Sequence, residues 1–546
     1  MRPWLIPTGV ACVLLAVALA VPAQGEVREN EVRVASRTEV FYYEVDGPGK
    51  ANSFYETGSH ILQELDIWSK NPVGEKWYST IDFTGRATDH EQFDTETWSV
   101  EMFQWKMEHP RFEFGAGDVF ANFSQYSMNK AIKGGYAQVN IEEDRQSYFR
   151  IAYGSFDSQW EYLYNHDDNE PVDRYGGGFR LQGAGAAGPF ELMGGVNLAH
   201  VDDRDDDPQR TFESTHWNTV GSVDWEARLQ SLVVAGEHAY SSDTEYRTDG
   251  TENDTTGSAN KISLRAAAYD TRLNYRWERV STDFLTLGGG ASPDRDRHYM
   301  KADHKVTRTF FVFGIGNHTR NNLSDDLANT RRITTGELGL RYRRAFGRNS
   351  LTLSVSGRRK WVDNTDDQNE RITDRVKFLA DDRFFRILRV RGNFEAILED
   401  NLNAPGSPES YFYGIELSSR HRLMDGKLEI RPSLSLERQE RDAFVNEAND
   451  VADTYRAELF AVYDRYLRAG GTVERYHNNY DDPAANDALR DKQMLYLEYQ
   501  PQFYKEGTLR LEGSNTDYIF DDKTQGYNEK IAKLTLRIGY DRKWGE

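Results

Sequence analysis

The reactive side chains of this 546-residue chain form no recognisable catalytic arrangement. The sequence has no G-x-S-x-G nucleophile elbow, no H-E-x-x-H pair, no phosphate-binding loop and no EF-hand spacing. Gly288, Gly289 and Gly290 follow a leucine, but no helical pattern comes after them, so they indicate a turn rather than a dinucleotide site. We therefore predict that the protein is not an enzyme and holds no cofactor.

Histidines and acidic runs are the remaining residues that could bind a metal ion. His298 and His304 are six positions apart, which on one strand means the same face but a separation of about 20 Å. We predict no metal site there. The acidic runs at 202–207, 363–370 and 481–482 would suit divalent cations that bridge to lipopolysaccharide, or they are simply solvated loops.

Arginines give the stronger indication of function. Arg341 and Arg343 alternate with large apolar residues, and Arg389 and Arg391 are spaced in the same way in a later segment. If these four side chains face a lumen, they set a transverse field that selects solutes by charge. The alternative is that they form salt bridges which only brace the wall.

Blocks of alternating large and polar residues must position these arginines. The clearest block runs over 77–87, with most of its apolar residues at odd positions and its polar residues at even ones. This two-residue period is typical of a strand with one face toward lipid and the other toward water. Short turns such as Asp425-Gly426 alternate with long polar loops, as in outer-membrane barrels.

The pattern therefore predicts an all-β fold, a large antiparallel transmembrane β-barrel of about 22–26 strands, with 26 as the best estimate. No repeat of 40–50 residues indicates propeller blades, and no linkers separate sandwich domains.

Composition favours an exported barrel. An aromatic share of 13% in a polar chain suits a wet lumen and a lipid-facing aromatic girdle, while a net charge of −21 disfavours nucleic acid as a partner. Residues 1–25 are predicted to be a secretory signal peptide, and 26–546 a single barrel in the outer membrane. The one cysteine, Cys12, lies in the predicted signal, so the mature chain has no disulfide.

The stretch 111–140 interrupts the alternation. A short strand at 111–114 is followed by 119–128, which is apolar but poorly alternating, before a strand resumes at 136–139. No other long connection is both apolar and nearly free of acid, so we predict a segment that folds inward and narrows the pore. The candidate constriction residues are Asp118, Phe120, Phe123, Tyr126, Lys130 and Lys133. The alternative is an ordinary hairpin whose apolar tip enters the membrane interface.

This stretch also resembles parts of known barrels. The segments 114–119, 123–128 and 133–135 resemble the Gly-Asp, Ser-x-Tyr and Gly-Gly/Ala stretches of large bacterial export barrels, including fimbrial ushers. Ushers are longer and carry extra periplasmic domains and a plug domain. The resemblance therefore implies a barrel context and not an export function.

The end of the chain resembles the closing strand of Gram-negative outer-membrane barrels. In such strands a glycine and a near-terminal aromatic residue help the assembly machinery to recognise the chain. Gly539 and Trp544 match this pattern, whereas Arg542 stands where an aromatic residue is usual.

These observations predict a porin-like channel or conduit that passes solutes across the outer membrane. One alternative is the barrel sheath of a porin–cytochrome electron conduit, because the porin-like barrels of such complexes resemble this chain in size. The haem would then belong to a multihaem cytochrome partner, because this chain has no C-x-x-C-H. The other alternative is a non-conducting structural or surface-binding barrel. The remaining expected partners are outer-membrane lipid, lipopolysaccharide and the barrel-assembly machinery.

Overall fold

The computed structural model describes residues 30–544, except 91–92, 95, 143–144, 157–159, 161–172, 205–213, 248, 326–328, 366–369, 386, 403–406, 443–448 and 481–486. The predicted signal peptide lies outside these residues, and so do large parts of the three acidic runs. Within the described ranges, no helix is long and apolar enough to cross a membrane.

The described chain is 77% β-strand. The segments are β1 Asn30–Asp46, β2 Gly58–Gly74, β3 Trp77–Thr88, β4 Trp98–Glu108, β5 Phe112–Ser124, β6 Met128–Asn140, β7 Tyr148–Ser155, β8 Asp173–Ala187, β9 Phe190–Arg204, β10 Ser214–Leu229, β11 Leu232–Arg247, β12 Glu252–Ala268, β13 Thr271–Val280, β14 Arg295–Lys305, β15 Phe310–Arg320, β16 Arg331–Arg343, β17 Thr352–Asn364, β18 Arg371–Phe384, β19 Leu388–Asn401, β20 Glu409–Ser419, β21 His421–Leu423, β22 Leu428–Asp442, β23 Asn449–Tyr463, β24 Leu467–Asn479, β25 Ala488–Tyr499, β26 Thr508–Phe520 and β27 Tyr527–Trp544. Two short 3-10 turns, Lys50–Asn52 and Ala345–Gly347, lie between strands.

Apart from β20 and β21, consecutive segments pair antiparallel, and the last pairs with the first. The β1–β27 ladder runs from Asn30 opposite Trp544 to Asp46 opposite Asn528. The segments β20 and β21 both pair with β22 and form one strand interrupted at Arg420. The result is a closed barrel of 26 strands, which confirms the predicted fold class and the best estimate of strand number.

Long and short connections lie at opposite ends of this barrel. The chain termini share their end with tight turns, such as the two-residue connection between β2 and β3. The opposite end carries the long connections, among them residues 281–294 between β13 and β14. In bacterial barrels the long loops face the cell exterior and the short turns face the periplasm.

The two faces of the wall differ in polarity. On β27 the side chains of Leu534, Leu536, Ile538 and Tyr540 are exposed to between 40% and 47% and form an apolar outer row. The interleaved Thr535 is buried and pairs with Glu39, which is also buried. A closed ladder satisfies the backbone within the bilayer, and the outer row supplies a lipid-compatible surface.

Candidate functional site

The hairpin of β5 and β6 leaves the barrel wall partway along its length. Residues 113–117 pair with β4, and residues 133–140 pair with β7. The intervening residues pair only with each other, up to Ser124 opposite Met128. The two short strands expected at 111–114 and 136–139 are therefore parts of longer ones. Burial alternates along β5, but apolar residues occupy both its buried and its exposed face, as Val119 and Phe120 show.

A glycine and an aspartate form the hinge at which the hairpin leaves the wall. Gly117 has a φ of +104°, and a Cβ there would lie 2.1 Å from the carbonyl oxygen of Phe103. Only glycine tolerates this conformation and approach. The Asp118 carboxylate then accepts hydrogen bonds from the Phe103 amide at 2.7 Å, the Lys133 ammonium at 2.8 Å and the Trp160 indole at 2.7 Å.

The departing hairpin lies inside the barrel, against the inner wall of β7 to β13. One buried cluster joins its lower part to the wall and contains Val119, Ala121, Phe123, Met128, Ile132, Ala152 and Ala199. A second cluster surrounds its tip and contains Tyr126, Val220, Ala239, Ala259, Val280 and Phe284. The wall positions are alanine and valine, so the wall leaves room for a second layer. Because the tip is buried against the inner wall, it does not lie in the membrane interface, which was the alternative.

Polar contacts fix the tip as firmly as the apolar ones. The Tyr126 amide donates to Glu237 and its hydroxyl to Glu278, both at 3.0 Å. Glu278 also accepts from Arg295 at 3.0 Å, so its carboxylate is shared between the hairpin and the wall. Hydrogen bonds that involve a charged group are roughly twice as strong as neutral ones.

The loop 281–294 folds inward over the tip. The Asn129 amide donates to the carbonyl oxygen of Gly288 at 2.9 Å, and the Gly290 amide donates to that of Gln125 at 2.8 Å. A Cβ at Gly289 would lie 2.2 Å from the carbonyl oxygen of Tyr126. Sequence reasoning read the three glycines as a turn signal and missed that they allow two backbones to meet.

The six candidate constriction residues fall into three groups. Phe123 and Tyr126 are buried against the wall, and Asp118 and Lys133 form the hinge contact. Phe120 and Lys130 are both exposed but lie on opposite faces of the hairpin. Phe120, 55% exposed, looks into the lumen, whereas Lys130 pairs with the buried Ala121 and lies 5.7 Å from the Phe156 ring on the side of the wall. Phe120 is therefore the candidate that a passing solute would meet.

The inner wall from β12 to β19 is strongly basic. Alternation and strand register place these basic side chains on the lumenal face: Lys261, Arg265, Arg272, Arg276, Arg295, Arg297, Lys301, Lys305, Arg331, Arg341, Arg343, Arg358, Lys360, Arg371, Arg375, Lys377, Arg383, Arg389 and Arg391. The acidic side chains on the same face are fewer: Glu278, Asp303, Glu337, Asp381, Glu395 and Glu399.

The opposite wall is far less basic. The strands β2 and β3 lie half the barrel away from β15 and β16, and their lumenal face carries Glu64, Asp66 and Asp82 beside Lys70 and Arg86. Glu64 is shared between Arg37, at 3.1 Å, and Arg86, at 3.2 Å. The lumen thus has a basic side and a more acidic side, which is the arrangement that produces a transverse field.

The four lumenal arginines singled out in the sequence have different surroundings. Arg389 donates to both oxygens of Asp381, at 3.0 and 2.6 Å, and Arg391 lies 3.6 Å from the same carboxylate. Arg341 and Arg343 contact no carboxylate among the described residues and lie instead over phenylalanine rings. One pair braces the wall, and the other keeps its charge available.

Histidines pair in two places that the sequence did not indicate. His298 lies opposite His318 on the outer face, with ring centroids 6.4 Å apart, because β14 and β15 are neighbours. The ring centroids of His60 and His90 lie 4.1 Å apart at the long-loop end of the barrel, beside the ring of Phe41. Burial lowers the pKa of His90, and the nearby His60 lowers it further. No group of three metal-ligating side chains occurs in the described part of the chain.

A closed barrel with an apolar outer face, a charged lumen and loops of unequal length defines an outer-membrane β-barrel protein. The outer membrane is accordingly its location. This class follows from the wall itself, whereas the cargo depends on the lumenal side chains.

Comparison with known proteins finds matches of low sequence identity among solved structures. No protein-family model and no curated protein matches the chain. The translocation pore of the P pilus usher PapC is 9% identical, with 94% of this chain and 99% of that one covered, at a TM-score of 0.39. The transporter YddB from Escherichia coli is 9% identical, with 95% of this chain and 83% of that one covered, at a TM-score of 0.40. The siderophore receptor PirA from Pseudomonas aeruginosa is 10% identical, with 95% of this chain and 81% of that one covered, at a TM-score of 0.38. Each is a likeness of fold.

Proposed function

We propose that this protein is a passive channel of the outer membrane that favours anionic solutes. The observation that carries the proposal is the basic lumenal wall of β12 to β19, on which Arg341 and Arg343 contact no described carboxylate. Charged rings and walls select ions in pores through the potential that they impose on the path. The proposal includes no catalytic step and no cofactor.

The inward hairpin is the proposed narrowing of this channel. It adds a second layer to the wall from β7 to β13 and leaves the basic wall beyond β13 open to the lumen. Its hinge and tip are both held by hydrogen bonds to carboxylates, so we treat it as a fixed lining. Solutes would then pass between Phe120 on one side and the arginines on the other.

Reconstitution in planar bilayers tests this function. Purified protein should give stepwise conductance, and deletion of residues 118–133 should increase the size of each step because it removes the inner layer. A heat-modifiable gel shift shows whether the deletion variant is still a folded barrel. A silent wild-type protein would refute the channel, and an unchanged step size in a folded deletion variant would refute the role of the hairpin.

The barrel's width favours a second candidate, the sheath of an electron conduit. With strands about 4.8 Å apart and tilted by about 40°, 26 strands enclose a ring about 50 Å across between backbones. A ring of that width can surround a folded partner such as a multihaem cytochrome. This candidate predicts haem absorbance in the complex purified from its native membrane, and no stepwise conductance until the partner is removed.

A further inference from the structure

A row of apolar side chains interrupts the charged lumenal wall at β15. Phe311, Phe313 and Ile315 face inward, because they pair with the inward Lys305, Asp303 and Lys301 of β14. All three are half-buried, so each retains surface toward the lumen. A contiguous row of apolar side chains that is exposed to water in a charged lumen indicates a surface that binds a ligand or partner.

The two aromatic rings carry Arg343 and Arg341, neither of which contacts a described acid. The guanidinium carbon of Arg343 lies 4.7 Å from the centroid of Phe311, and that of Arg341 lies 6.0 Å from the centroid of Phe313. Both arginines are exposed on their other side. A guanidinium that rests on a ring in this way is held flat without losing its hydrogen-bond donors.

A glycine fixes the position of one ring. Gly339 lies opposite Phe313 on β16, and a Cβ at this glycine would lie 2.1 Å from the phenylalanine ring. The ring therefore lies across the backbone of β16, close to Arg341. Any larger residue at position 339 would displace it, so the glycine, the ring and the arginine form one built surface.

The acidic side chain opposite Phe313 does not neutralise this surface. Asp303 pairs with Phe313 across the ladder, but its ion-pair partner is Lys301, at 3.7 Å. On the other side, Arg341 and Arg343 lie opposite Ser354 and Thr352, which are uncharged. Two cations and two rings thus remain available to a solute.

We propose that this surface binds aromatic carboxylates, and this inference rests on the proposed anion channel. The carboxylate of such a solute would receive parallel hydrogen bonds from a guanidinium, while its ring would stack on the Arg–Phe pair. An inorganic anion would need the arginines without the rings, and a neutral aromatic would need the rings without the arginines. Only a solute with both groups uses every residue of the surface.

Saturation-transfer NMR on the full barrel in detergent tests the site, with benzoate as the probe. Benzoate should receive saturation, whereas benzyl alcohol and cyclohexanecarboxylate should receive much less. Replacement of Arg341 and Arg343 by Gln should weaken benzoate binding about tenfold, the loss expected for a charge-assisted bond. The matched control is Arg389→Gln, which removes a lumenal arginine already paired with Asp381 and should leave binding unchanged.

Gly339→Ala offers a second test that leaves every charge in place. The added methyl group displaces Phe313 and should reduce benzoate saturation while acetate remains a non-binder. Equal saturation in all variants, or equal signals from benzoate and benzyl alcohol, would overturn the inference. Because binding is measured without any current, its failure is distinct from failure of the channel: conductance without benzoate binding refutes only the site.

Discussion

The anchoring of the hairpin tip can be tested by removing one side chain, that of Tyr126. This residue is fully buried between Val220, Ala239 and Phe284, and its ring meets that of Phe284 edge-on at 5.9 Å. Tyr126→Ala leaves a cavity and leaves Glu278 without its hydroxyl donor. Substitution of a buried aromatic residue by alanine costs about 3–5 kcal/mol. We expect most of that cost to fall on attachment of the hairpin, since the barrel ladder is untouched.

Thiol labelling measures the attachment directly. The chain's only cysteine is Cys12, in the predicted signal, so an introduced cysteine reports one site. Ser127→Cys places the thiol beside the tip, at a position that is 1% exposed. A loss of about 3–5 kcal/mol should raise its labelling rate by a water-soluble maleimide by about two to four orders of magnitude. Tyr126→Phe, which removes only the hydroxyl, should raise the rate by about tenfold.

The control is a cysteine at Asn122, on the exposed face of the same hairpin. It should react rapidly whether or not Tyr126 is present. If Ser127→Cys stays as protected in the Tyr126→Ala background as in the wild type, the tip is held by something other than this buried contact. If it reacts rapidly in the wild type, the hairpin is not attached to the wall at all.

Two further predictions concern the loop end and the lipid face. Because burial keeps the pKa of His90 below the ordinary value of about 6.5, the detached loop binds more protons than the native one, and stability falls as the pH drops through that value. The protection factors of backbone amides in the described residues around His90, which correct for the slower intrinsic exchange at low pH, should therefore fall between pH 7.5 and 5.5, and His90→Phe should abolish that fall. Leu536→Arg places a charge in the apolar outer row at a cost of about 2–4 kcal/mol, so it should reduce the folded fraction in a gel-shift assay, while Leu536→Ile should not.

The architecture could be predicted from the sequence because a barrel wall imposes one rule on every strand. Alternation separates a lipid face from a water face, and it was enough to place 26 strands and their short turns. The stretch 111–140 stood out for the opposite reason: apolar residues on both faces and little acid. The sequence could show that it was different, but not which part of the wall it contacts.

The alternation of apolar and polar residues could not predict contacts between residues that are distant in the sequence. The inward loop 281–294 depends on glycines that meet the backbone of Tyr126, a contact with no local signal. The lumenal position of the Phe311 and Phe313 rings has no local signal either, because only the register with β14 and β16 shows that they face the lumen. Arg389 is paired with Asp381 and Arg341 is not paired with a described carboxylate, and this difference likewise depends on which neighbouring strand carries an acidic residue.

The most direct test of the proposed channel is its reversal potential in a planar bilayer. With a tenfold KCl gradient across the membrane, the basic lumenal wall predicts that chloride passes more readily than potassium, so the dilute side becomes negative. Replacing Arg341 and Arg343 by Gln should shift this potential toward zero, and Arg389→Gln should shift it less, because Asp381 already neutralises that arginine. A dilute side that becomes positive, or a potential that does not respond to the double replacement, would contradict the account.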